Sequence, residues 1–175
     1  MTSDAVWQGN IGRCFQPEIT FSETCLIDRI EVSGGGPAAA RYLKENYATG
    51  YVSGWQQKGV MGIARITWPF CANTHTGTLL IPSSGDAIDV DRTPTDLAGG
   101  AVWQSFLTAY PDSMLFAPTK MLEAQSTSNG QRRIFAMPIK RCHACETQAY
   151  LSVSYNFDVN GRSAGSEILS IKMPR

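Results

Sequence analysis

The sequence predicts an α+β domain: a twisted antiparallel sheet with two short helices on one side, ending in a three-stranded meander. Three observations carry that prediction. Ala149, Leu151, Val153, Tyr155 and Phe157 alternate with Tyr150, Ser152, Ser154, Asn156 and Asp158, the period of a strand with one buried and one wet face. Trp103, Phe106, Leu107 and Tyr110 recur at helical spacing. Ser128-Asn129-Gly130-Gln131 is a hairpin turn, because Asn-Gly accepts positive φ.

In chain order, residues 1–33 form a cysteine-containing segment with short apolar runs (Ile19-Thr20-Phe21, Leu26-Ile27, Ile30-Glu31-Val32) that read as strands or irregular structure. Residues 34–112 hold strands and the two helices. Ser33-Gly34-Gly35-Gly36 breaks the chain, and Pro37 suits a first helical turn, where its missing N–H goes unneeded. The helix predicted over 38–47 places Ala39, Leu43 and Tyr47 on one face. Tyr51–Trp55 and Val60–Phe70 read as strands around Lys58-Gly59, with Pro69 closing the ladder. Thr76–Ile81 is a further β run, stopped by Pro82. Thr93-Pro94-Thr95-Asp96 offers an N-cap hydroxyl, a first-turn proline and an acid for the second helix, which Pro111 ends. Residues 113–175 are β: Arg133–Lys140, then 149–158, then a turn at Val159-Asn160-Gly161, then Ser166–Met173.

The length of 175 residues fits a single domain over 1–175, with 43% hydrophobic residues for a core. Charged residues are only 17%, against about 25% in an average soluble chain. Fifteen basic and fifteen acidic residues cancel, and no basic run exceeds Arg132-Arg133 or Lys140-Arg141, so a nucleic-acid footprint is missing. No apolar run reaches the roughly 18–20 residues of a membrane span. The opening residues carry neither the basic nor the apolar part of a signal peptide. The cysteines nevertheless favour an exported protein, periplasmic or secreted, whose signal has been removed.

Five cysteines allow at most two internal bridges. The preferred pairing is Cys14 with Cys25 and Cys142 with Cys145, leaving Cys71 over. Other pairings stay open. Cys142-His143-Ala144-Cys145, between two strands, is the feature with most chemistry. A bridge there holds His143 and Ala144 outward at a hairpin tip, with Arg141 and Glu146 as a polar rim. A redox pair of the thioredoxin kind sits at a helix N-terminus, whereas these flanks are β. Covalent haem attachment needs His directly after the second cysteine, and Glu146 stands there. A metal alternative combines Cys71, His75, Cys142 and Cys145 as a tetrahedral zinc site; no other cofactor is implied.

A catalytic alternative uses Cys25, after the possible helix cap Ser22-Glu23-Thr24, as a thiolate with His75 leading a β run. That order loosely resembles a family of cell-wall cysteine peptidases, without the small residues that surround their nucleophile. Residues 131–171 resemble the functional hairpin of the periplasmic inhibitors of vertebrate lysozyme, in which a disulfide-closed loop with a His plugs the target's cleft. This loop has two residues between its cysteines, fewer than that family's. The resemblance implies a non-enzymatic inhibitor or immunity-type protein. Its partner would be a cell-wall (peptidoglycan) hydrolase, contacted through Arg141, Cys142, His143, Ala144, Cys145 and Glu146.

Overall fold

The computed structural model describes residues 1–15, 23–71, 75–83, 85–92 and 100–174. The fold is α+β, with antiparallel strand pairing throughout the named registers. The chain forms two compact units, residues 1–58 with 62–81, and residues 59–61 with 82–175.

The first unit begins with short turns of 3₁₀ helix at Ser3–Ala5 and Gly12–Phe15. Helix α1 follows at Glu23–Val32 and α2 at Pro37–Asn46. Strands β1 (Tyr51–Lys58), β2 (Met61–Trp68) and β3 (His75–Ile81) lie side by side in that order. The register of β2 against β3 runs from Gly62 opposite Ile81 to Trp68 opposite His75.

From residue 23 onward, helix α1 corrects the expectation of strands or irregular structure before residue 33; the Ile19-Thr20-Phe21 run lies outside the described residues. Leu26, Ile27 and Ile30 lie on one helical face and are buried with Trp7 and Ala40. Val32, which looked like the end of a β run, is 89% exposed. The Trp7 indole N–H donates to Ser33 Oγ at 2.7 Å and so ties the N-terminal segment to the end of α1. In α2, Ala39, Ala40 and Leu43 are buried and Pro37 occupies the first turn, close to the expected span.

In the second unit, β4 (Ile88–Asp89) and β5 (Met114–Leu115) are two-residue strands flanking helix α3 (Ala101–Ala109). The cap expected at Thr93-Pro94-Thr95-Asp96 lies outside the described residues. The helical stripe is present as a stack of rings, with Trp103 to Phe106 at 5.9 Å and Phe106 to Tyr110 at 4.7 Å.

The C-terminal sheet contains β6 (Lys120–Thr127), β7 (Gly130–Lys140), β8 (Ala149–Asp158) and β9 (Ser163–Lys172). Each pairs antiparallel with the next, so the meander has four consecutive strands where three were expected. Strand β5 pairs with the far end of β7. The inward residues of β8 are buried as the alternation predicts. Ser152 and Ser154, expected to be wet, are buried too. At Ser154 the cover comes from the neighbouring strands. Arg132 from β7 donates to Asn156 Oδ1 at 2.9 Å and to Glu167 of β9 at 2.8 Å, and Glu167 accepts from Ser154 Oγ at 3.2 Å. The Arg132–Glu167 pair thus lies against Ser154.

Candidate functional site

Strands β7 and β8 pair continuously from Gly130 opposite Asp158 to Ile139 opposite Ala149. Residues 141–148 connect them at the far end. The base of this connection is fixed on several sides. Met114 and Leu115 of β5 pair with Lys140 and Ile139. The Phe116 N–H donates to the Pro138 carbonyl at 2.9 Å, and the Gln148 N–H to the Ile139 carbonyl at 2.8 Å. Ser113 Oγ donates to Gln148 Oε1 at 2.9 Å.

Above this base, the Cys145 N–H donates to the Cys142 carbonyl at 3.1 Å, closing a tight turn. The two sulfurs are bonded, with Cα atoms 5.0 Å apart. His143 and Ala144 sit at the turn and are exposed, as are Arg141, Cys142 and Glu146; Cys145 is half-buried. The His143 ring meets the Phe116 ring edge to face, with centroids 6.0 Å apart. The contact restricts an otherwise free imidazole. Its nitrogens offer one donor and one acceptor when neutral and two donors when charged. The arrangement is therefore a hydrogen-bonding group on a rigid, solvent-facing stalk.

The sequence did not point to Phe116, Ser113 or Gln148. Phe116 lies 27 residues before His143 and shares no motif with it; the short apolar run Met114-Leu115-Phe116 was its only local signal.

The other candidate residues lie elsewhere. Cys25, in the first turn of α1, is bonded to Cys14, whose side chain is fully buried. In this form Cys25 carries no thiolate, which removes the nucleophile of the Cys25–His75 alternative. His75 is exposed at the start of β3, opposite Trp68. Cys71 is free and exposed. The zinc alternative loses two of its four ligands, because Cys142 and Cys145 bond each other. Among the described residues no three His, Cys, Asp or Glu side chains form a group that would hold a metal.

A second polar cluster was not legible in the sequence. Asp89 Oδ1 accepts from the Asp91 N–H at 2.9 Å, and Asp91 Oδ1 accepts from the Thr119 N–H at 2.6 Å. Burial raises the Asp89 carboxyl above its ordinary value. The Tyr155 hydroxyl is buried without a hydrogen-bond partner, and burial together with the negative charges of Asp89 and Asp91 raises its pKa. The two aspartate contacts tie the residues that follow β4 to each other and to Thr119. No protein-family model matches the chain, and no curated protein or solved structure is significantly similar to it.

Proposed function

We propose that this chain is a non-enzymatic inhibitor or immunity-type protein that plugs the active site of a peptidoglycan hydrolase with the loop at 141–146. The observation that carries this reading is the exposed His143, fixed between two bonded cysteines at the end of the β7–β8 ladder. A loop already ordered before docking loses little conformational entropy on binding. Inside a cleft, the imidazole can hydrogen-bond catalytic carboxylates, and Arg141 and Glu146 supply a polar rim. Two disulfides fit an oxidising compartment, periplasmic or extracellular. Among the described residues no helix is long and apolar enough to cross a membrane.

The test is hydrolysis of purified peptidoglycan by a vertebrate lysozyme, and separately by a peptidoglycan amidase, with the protein added in equimolar amount. Inhibition of at least one enzyme is expected. His143→Ala weakens it by about tenfold or more, equivalent to about 1.4 kcal/mol, with an unchanged circular dichroism spectrum. Full activity of both enzymes overturns the proposal. Equal inhibition by wild type and His143→Ala removes the loop from it.

A further inference from the structure

We propose that the Cys142–Cys145 bridge is a thiol-exchange site, the point at which an external dithiol opens the loop while the rest of the fold stays intact. The two disulfides of this chain differ in access. The 142–145 bridge joins an exposed residue, Cys142, to a half-buried one, Cys145, which places it at the solvent-exposed surface. Cys14 is fully buried and Cys25 half-buried. Exchange requires direct attack on a disulfide sulfur, so access decides which bridge reacts first.

They also differ in what their loss costs the fold. The 142–145 bridge has a sequence separation of 3 and closes four residues; the 14–25 bridge has a separation of 11 and closes twelve. On the chain-entropy account, opening the shorter loop shifts the folding equilibrium about fivefold less. Neither the ladder from Gly130/Asp158 to Ile139/Ala149 nor the Gln148–Ile139 hydrogen bond includes a bridged residue, so both are expected to persist without the bridge. Opening is thereby confined to residues 141–148.

The chemistry balances with a dithiol as reductant. Its thiolate attacks Cys142 Sγ, a bond forms between the reagent and Cys142, and the Cys142–Cys145 bond breaks. Cys145 leaves as a thiolate and takes a proton from water. The reagent's second thiolate then attacks the reagent sulfur of the mixed disulfide. Cys142 is released as a thiolate, which takes a proton from water, and the reagent leaves as a disulfide. Two electrons pass from reagent to protein.

The bridge therefore makes the loop conditional: closed, it presents His143 in one shape; open, it must order the segment on docking. That consequence rests on the function proposed above, whereas the exchange itself does not. The experiment blocks Cys71 of the folded protein with N-ethylmaleimide, then titrates dithiothreitol, traps new thiols with iodoacetamide and maps them by peptide mass. Cys142 and Cys145 are expected to open at roughly tenfold lower dithiothreitol than Cys14 and Cys25, with circular dichroism unchanged. Opening of both bridges at one concentration overturns the proposal. So does loop labelling that appears only as the dichroism signal is lost. No partner enters this measurement, so its failure is distinct from failure of the inhibitor reading.

Discussion

At Gly130 the backbone has φ +145°, and a Cβ there would meet the Phe157 carbonyl oxygen and the Asp158 carbonyl carbon, the latter at 2.6 Å. Gly130→Ala is expected to lower stability by about 2 kcal/mol or more, read as a shift in urea midpoint, because it adds both backbone strain and a clash. The Asn-Gly pair made this glycine visible in sequence as a turn residue. That it also lies against the backbone of β8 was not visible, since that contact depends on strand register. Asp89 shows the same division. Its identity said nothing about burial, yet burial raises its pKa above the ordinary carboxylate value of 3.8. The folded protein holds this proton to higher pH than the unfolded chain does. The stability it contributes is complete below 3.8 and is lost as pH rises through the raised folded value. Asp89→Asn keeps an oxygen for the Asp91 amide and removes the buried charge. It is expected to raise the urea midpoint at neutral pH and to flatten the fall in stability above pH 3.8. Tyr155→Phe is expected to add about 1 kcal/mol, because it deletes a buried hydroxyl with no hydrogen-bond partner. A loss of that size instead would mean that a buried water satisfies the hydroxyl.

Among the elements, legibility followed burial. Strand β8 was plain because its inward residues are buried and its period of two had a core to face. Strand β6 left no such signal: only Gln125 among its eight residues is even half-buried, so no alternation is written into it. Helix α1 was hidden by β-branched residues, and its helical face became evident only once Trp7 and Ala40 supplied a surface to pack on. The loop between β7 and β8 was legible as a hairpin tip, but its support by β5 and Phe116 was not. The two bridges also act at this scale. Replacing Cys142 and Cys145 by serine is expected to cost about 2 kcal/mol, and replacing Cys14 and Cys25 about 3 kcal/mol, from loop lengths of four and twelve. The second variant also leaves a fully buried position with a hydroxyl, so its melting temperature should fall further. Equal losses would show that native-state strain, and not loop length, sets the contribution of each bridge.

For the whole molecule, the α+β class followed from the two periodicities, whereas the grouping of strands into two sheets did not. Periodicity tells which face of a strand is buried; it does not tell which strand lies beside which, and that is fixed by pairings far apart in sequence. The oxidised state is the property of the whole chain on which the loop's shape depends. With 17% charged residues, the surface relies on neutral polar groups, and each compact unit contains one bridge. Five cysteines less two bridges leave Cys71, which is exposed and free. Thiol titration without reductant is therefore expected to find one thiol per chain, in the native protein and again in denaturant. A count that rises on denaturation would mean that one of the two bridges is open and its thiols hidden. Four or five thiols in denaturant would leave the 141–148 connection without its sulfur clamp. His143 would then be carried on an open segment that must pay its ordering entropy at the moment of binding.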